Sequence, residues 1–255
     1  MSSAAIRQSV EAQGFALVGA GLSAAECDEA ARSCMPLEHR RGGARNLLSL
    51  SWVQKIAEHG ALREAVGSVL GEGAFPFKAI FFDKTPTSNW KVAWHQDVSL
   101  PVRLRRDEAG WGPWSVKAGV LHVQAPSAVL AQILAVRVHL DAVTATNAPL
   151  RVIPGSHLAG RLTEAEMVVW RSKPHVTCVG ERGSLLLMKP LLLHASSLAA
   201  SPSRRRVLHI EFAHDTLASS VPELAVAEPA AAADALALAA EPQAVRRHGE
   251  AWQLT

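Results

Sequence analysis

Long apolar runs are missing from this chain of 255 residues. Its most apolar stretch, residues 184–200, is interrupted by Lys189, Pro190 and His194, and a membrane span needs about 20 consecutive apolar residues. The first thirteen residues carry Arg7 and Glu11 and no apolar core, so they are not expected to act as a secretory signal. Cysteine is scarce. Cys27, Cys34 and Cys178 are odd in number and none sits in a C-x-x-C pair, which excludes a disulfide framework, a zinc ribbon and a thioredoxin-like site and points to a reducing cytoplasm. A strong charge of one sign is missing too. Lys+Arg is 26 against Asp+Glu 23, a net charge of +3, too mild to imply nucleic acid but compatible with small anionic substrates. What remains is 49% hydrophobic and 19% charged, the composition of a globular chain able to bury a core unaided. No nucleic-acid or membrane partner is expected, and the protein is expected to be a monomer or homodimer.

The pattern divides the chain into three parts. Residues 1–74 read as a mostly helical region, with a capping box at Ser23-x-x-Glu26, another at Ser51-x-x-Gln54, a helix over about 61–70 and a short strand over 14–18. From residue 75 to about 215 short apolar runs alternate with turn residues. Strands are expected at 78–83, 90–97, 119–123, 134–141, 150–153, 175–179, 184–188, 192–196 and 205–213, a density that suggests a sandwich or barrel. Thr163-x-x-Glu166 caps a helix inserted among them, and a short helix follows Pro126. Residues 99–118 read as a long connection carrying Trp111 and Trp114, and residues 216–255 as an alanine-rich tail or peripheral helix.

The sharpest local feature is His95-Gln96-Asp97 at the end of an expected strand. Alternation puts Lys91, Ala93, His95 and Asp97 on one face, so the imidazole and the carboxylate can reach one ion. His194, closing the apolar run Leu191-Leu192-Leu193, is the natural third ligand. Two histidines and a carboxylate on one side of an ion form the facial triad of non-heme Fe(II) oxygenases, with the other side left open. H-x-D by itself recurs by chance, and His95 can equally be a surface or packing histidine. The context adds weight: Arg205 opens a strand eleven residues after His194, where its fork can hold a dicarboxylate end-on. The alternative for Arg204-Arg205-Arg206 is a solvated turn.

Four segments carry a resemblance. Asn89-Trp90-Lys91-Val92-Ala93-Trp94-His95-Gln96-Asp97, Asn147-Ala148-Pro149-Leu150-Arg151-Val152-Ile153-Pro154-Gly155-Ser156-His157, Gly183-Ser184-Leu185-Leu186-Leu187-Met188 followed by His194, and the strand from Arg205 to Ala213 occur in this order over about half the chain. Together they resemble the phytanoyl-CoA dioxygenase family of Fe(II)/2-oxoglutarate oxygenases. Ala148 stands where that family usually has glycine. The resemblance implies a mainly β double-stranded β-helix (a jelly-roll, cupin-like) with flanking helices. It implies Fe(II) on His95, Asp97 and His194, with 2-oxoglutarate chelating the iron and setting its far carboxylate on Arg205. O₂ is the co-reactant, and ascorbate keeps the iron reduced. Ser196 resembles a position that hydrogen-bonds the cosubstrate; its alternative is a strand serine bonding nearby backbone. The expected reaction is oxidation, foremost hydroxylation, of an unactivated C–H in a small molecule of specialised metabolism, with 2-oxoglutarate converted to succinate and CO₂. Asp97 argues against a halogenase, in which a small residue at that position would free a site for chloride.

Further residues are open. Lys91 either meets a substrate or cosubstrate carboxylate or forms an ion pair at the barrel mouth. Arg137 and His139 alternate on one strand face and are cofactor-pocket candidates, unless one of them lies on the outer sheet face or is paired structurally. His157 follows a Pro-Gly turn and reads as a structural residue, and His122 can line the substrate side. Two rival readings remain: a non-catalytic metal-binding jelly-roll acting as sensor or scaffold, which would not need Arg205, and a zinc hydrolase on the same triad, which would need a general base instead.

Overall fold

The computed structural model describes residues 1–37, 43–105, 107–220, 246–248 and 251–253. Four helices precede the main sheets: α1 (Ser3–Gln13), α2 (Ala24–Ser33), α3 (Ser51–Ala57) and α4 (Gly60–Leu70), with β1 (Phe15–Val18) between the first two. Each start has a local cause. The Ser2 side chain accepts from the Ala5 N–H to cap α1, and Ser23 and Glu26 cap α2 reciprocally. The expected capping box at Ser51 is not formed. Leu50 occupies the cap position with no side-chain bond, because its buried side chain anchors that turn in the core and shifts Ser51 into the first helical position.

The strands follow as β2 (Ala74–Lys84), β3 (Val92–His95), β4 (Ser99–Pro101), β5 (Trp114–Lys117), β6 (Val120–Gln124), β7 (Ile133–His139), β8 (Leu150–Val152), β9 (Val176–Cys178), β10 (Leu185–Met188), β11 (His194–Ser196) and β12 (Arg205–His214). Short helices α5 (Ser127–Leu130) and α6 (Glu164–Arg171) interrupt them, and α7 (Asp215–Ser220) follows β12. A hairpin of β13 (Arg246–His248) and β14 (Ala251–Gln253) comes last. The alanine-rich stretch expected to form a tail helix lies outside the described residues.

Two sheets face each other, one in the order β1-β10-β7-β12-β2 and the other β3-β11-β8-β9. Their pairings are antiparallel, and the whole is the jelly-roll expected from the sequence. Strand alternation sorts the larger sheet into two faces. Ala79, Phe81, Val136, Val138, Leu208, Ile210 and Phe212 point outward and share one apolar core with Val10, Cys27, Leu62 and Val66 of the helices. The opposite face, with Lys78, Ile80, Phe82, Lys84, Arg137, Arg205, His209 and Glu211, lines the interior cavity. The N-terminal region is thus more than a helical cover, since β1 completes the edge of the sheet beside β10.

Residues 99–118 differ from the expected structureless connection. β4 and β5 flank β6 in a third, three-stranded sheet. Lys117 pairs with Val120 across a two-residue turn in which Ala118 and Gly119 have φ of 48° and 76°. Two successive left-handed residues match the twist of a tight hairpin, although alanine at the first gives no sequence signal for it. Ala148 also adopts a left-handed φ, 63°. The turn that glycine makes easily is therefore kept by alanine, and its carbonyl accepts a hydrogen bond from the Ser196 hydroxyl at 3.0 Å.

Candidate active site

His95 ends β3 and His194 opens β11, and the two stand directly opposite each other in the β3–β11 pair. Their rings lie 4.2 Å apart, centroid to centroid. Each ring is oriented in the same way. His95 Nδ1 donates to the Ala93 carbonyl and His194 Nδ1 to the Leu192 carbonyl, both at 2.8 Å. A carbonyl can only accept, so each Nδ1 carries the proton and each Nε2 presents a lone pair, the tautomer a metal requires. Asp97 follows the strand and is held by its own N–H on the Pro190 carbonyl at 2.9 Å. Its two oxygens lie 3.7 Å from His95 Nε2 and 3.6 Å from His194 Nε2. The three donor atoms fall within 4.8 Å of one another, two nitrogens and one carboxylate converging on one point, which suits a divalent iron.

The electrostatics agree. Burial would push the Asp97 carboxyl up, but His194 and His95 outweigh it and hold it well below the usual carboxylate range. Burial, then His95, pushes His194 down to about 3, so its imidazole is uncharged and available as a ligand near neutrality. Gln96, between the two β3-side ligands, points the other way. Its amide donates to the Gly160 and Leu191 carbonyls and accepts from the Leu162 N–H, tying the ligand segment to both neighbouring loops.

The triad opens into a cavity of about 530 Å³, within the size range of small-molecule sites. Arg205, 3% exposed, lines it, and its buried Nε has no hydrogen-bond partner among the described residues. Burial, and then Arg137, make its charge costly, as expected of a cation waiting for an anion. Its two sequence neighbours are engaged elsewhere: Arg204 forks onto Asp83 and Arg206 onto Asp141. Ser196 also lines the cavity; its hydroxyl donates to Ala148 and accepts from Lys84 Nζ at 3.0 Å. Arg137 lines it as well and donates to His209 Nδ1 at 3.3 Å.

Two expected pocket residues are elsewhere. Lys91 is exposed and precedes β3 instead of lying in it, so strand alternation does not turn it inward. His139 is buried outside the cavity lining, its Nδ1 donating to Ser184 Oγ at 2.9 Å while that hydroxyl is bound to the Glu181 carbonyl. His122 is likewise buried outside the lining, bonded through Nδ1 to the Val120 carbonyl. His157 bonds the Glu11 carbonyl at the N-terminal helix, a structural role.

Several residues escaped the sequence reading. Lys84, the lysine that does enter the pocket, sits on the inward face of β2 at the same alternation as Lys78, Ile80 and Phe82. That alternation was legible; the lysine at its end was the available signal. His209 and Glu211 come within 4.8 Å of Asp97. Their donors are already used: His209 Nε2 donates to Glu211, which also binds Lys78 Nζ at 2.6 Å. They form a hydrogen-bonded ion chain with Lys78 beside Asp97. Arg45 and Lys117 complete the missed set.

The profile of the phytanoyl-CoA dioxygenase (PhyH) family matches residues 10–207, and the chain belongs to that family. It is a non-heme iron oxygenase that uses 2-oxoglutarate. Among solved structures it is similar to apo ThoJ, a non-heme monooxygenase, at 21% identity with a TM-score of 0.61 over 82% of this chain and 77% of that one. It is similar to the epimerase SnoN in complex with Fe³⁺, α-ketoglutarate and nogalamycin RO, at 16% identity and a TM-score of 0.64 over 98% and 97% of the two chains. A third is apo EctD from S. alaskensis, at 17% identity and 0.62 over 85% and 78%. At these identities the likeness is one of fold. No curated protein sequence matches the chain significantly. Among the described residues no helix is long and apolar enough to cross a membrane.

Proposed function

We propose that this protein hydroxylates an unactivated C–H bond of a small molecule of specialised metabolism, converting 2-oxoglutarate to succinate and CO₂. The observation that carries the reading is the presence, in one cavity, of three convergent ligand atoms and one buried arginine with an unpartnered Nε. His95, Asp97 and His194 would hold Fe(II), and Arg205, helped by Ser196 and Arg137, would hold the far carboxylate of 2-oxoglutarate. Bound iron with 2-oxoglutarate and O₂ supplies the oxidising power.

The chain's own residues do the rest. The Nδ1–H bonds of His95 and His194 fix ring orientation and tautomer, and the Asp97 N–H bond to Pro190 fixes the carboxylate. The fork of Arg205 sets which end of the cosubstrate faces the triad, and Trp90 and Phe82 line the cavity with apolar surface that limits water. The scaffold or sensor reading has less support, because it gives no reason to bury an arginine whose Nε is unpartnered. We place the protein in the cytoplasm as a monomer or homodimer.

The test is succinate formation from 2-oxoglutarate with Fe(II), ascorbate and a metabolite library, followed by mass analysis of the stimulating compound. A gain of one oxygen supports hydroxylation; loss of two hydrogens redirects the reading to desaturation or ring closure. Succinate formation that persists without iron refutes it.

A further inference from the structure

His209 lies on the inner face of β12, between Arg205 and Glu211, and stands directly across from Arg137 in the β12–β7 pair. It is 3% exposed, and the chemistry proposed above gives it no part. A buried ring that only packed could be a leucine or a phenylalanine. This one is bonded on both sides. A guanidinium can only donate, so at 3.3 Å Arg137 gives a hydrogen bond to Nδ1, and the ring proton sits on Nε2. Nε2 in turn donates to Glu211 Oε1 at 3.2 Å, and the same oxygen receives Lys78 Nζ at 2.6 Å. Lys78 also donates to the Ser99 carbonyl at 3.3 Å.

The bonds therefore run without a break from Arg137 on β7, through His209 and Glu211 on β12 and Lys78 on β2, to the first residue of β4, two residues past Asp97. What they hold is a cation beside another cation. Arg137 lines the cavity with Arg205 and makes the Arg205 charge costlier, so the two guanidiniums repel. Asp97 attracts Arg137, but a charge attraction without a hydrogen bond sets no orientation. Two contacts do. The guanidinium carbon lies 5.3 Å from the centroid of the Phe82 ring, and an N–H bonds His209. The ring contact leaves the fork free to turn within its own plane, whereas the hydrogen bond is directional and fixes which edge faces the cavity.

We infer that His209 is a positioning residue for the cosubstrate: accepting from Arg137 at Nδ1 and donating to Glu211 from Nε2, it aims the Arg137 fork at the 2-oxoglutarate carboxylate beside Arg205. This rests on the oxygenase reading and adds a residue to it. A fork aimed beforehand loses less rotamer freedom when the anion binds than one that must turn to meet it, so the effect falls on cosubstrate affinity and not on iron.

The test separates the two bonds of the ring. Asn sets its amide at the reach of Nδ1 and can still accept from Arg137; Gln sets its amide at the reach of Nε2 and keeps only the Glu211 side; Leu keeps neither. The full chain, loaded anaerobically with Fe(II), is titrated calorimetrically with 2-oxoglutarate, beside an iron titration and a thermal melt. His209→Gln and His209→Leu should each weaken 2-oxoglutarate about tenfold, the worth of a hydrogen bond to a charged partner. His209→Asn should stay within about threefold of the wild type, and all three should keep iron affinity within about threefold. In an Arg137→Met background His209→Gln should cost less than about twofold more, because the group it positions is gone. Lost stability alone does not produce the split between Asn and Gln. The inference is overturned if Asn weakens 2-oxoglutarate as much as Gln and Leu do, if none of the three weakens it, or if His209→Gln costs as much with Arg137 removed as with it present. A wild-type chain that binds no 2-oxoglutarate sinks the oxygenase reading and this inference with it, whereas a wild type that binds it and variants that do not split overturn the positioning role alone.

Discussion

Arg205 stands directly across from Lys84 in the β12–β2 pair, and both side chains, each 3% exposed, end in the same cavity wall. A planar fork and a titratable ammonium therefore stand side by side where the proposed function puts the far carboxylate of 2-oxoglutarate. Arg205→Lys keeps charge and loses the fork, so the KM for 2-oxoglutarate should rise about 10- to 100-fold with less effect on iron affinity. Steady-state kinetics beside an iron titration check this. Unchanged KM would move the role to another cation.

Lys84 gives that site a pH dependence. Burial, then Arg205 and Arg137, push it down to about 7. Below that value Lys84 is charged and adds to the pull on a carboxylate. Above it the free protein must take up a proton to do the same. Affinity for 2-oxoglutarate should therefore fall as pH rises through about 7, and the slope should flatten in Lys84→Met. Calorimetric titration across that range checks both; identical profiles for the two proteins contradict the assignment.

Arg204 and Arg206 flank Arg205 but point away from the cavity, onto Asp83 and Asp141. The Arg206 pair includes backbone and side-chain donors on one carboxylate. Arg206→Gln should cost about 2 kcal/mol of stability, the worth of hydrogen bonds to a charged partner, and leave the 2-oxoglutarate KM within about threefold. Chemical denaturation and kinetics on one preparation separate the effects.

The two tryptophans of residues 99–118 divide in role. Trp114 lines the cavity, so Trp114→Ala should uncouple succinate release from product formation while sparing 2-oxoglutarate binding. Trp111 packs with Phe77, Leu100 and Leu130, so Trp111→Ala should act through stability, losing about 2–3 kcal/mol for a partly buried ring. The ratio of succinate to oxidised product, measured with thermal melts, distinguishes them.

The jelly-roll was legible because its strands announce themselves by period-two alternation between turn residues, as in residues 134–141 and 205–213. The convergence of His95, Asp97 and His194 was legible because H-x-D at a strand end and a histidine closing an apolar run both lie in or beside regular structure. Lys91 falls outside the alternation because β3 begins one residue after it, at Val92. β4 and β5 were missed because Pro101 and Pro113 at their ends look like loop and Ala118 hides a hairpin turn. Arg45 and Lys117 escaped for another reason: they are far apart in sequence and are brought near each other by tertiary contacts such as Asn46 to the Ala118 carbonyl, which no local pattern encodes.

Iron-dependent turnover of 2-oxoglutarate by the wild-type chain beside Asp97→Ala and His194→Ala tests the account most directly. The wild type should release succinate and CO₂ over many turnovers with Fe(II) and none after chelation. Each variant should lose that turnover, bind Fe(II) at least about tenfold more weakly, and keep a cooperative thermal melt. Variants that turn over 2-oxoglutarate like the wild type, or an iron-bound wild type that releases no succinate with 2-oxoglutarate and a broad metabolite library, would contradict it.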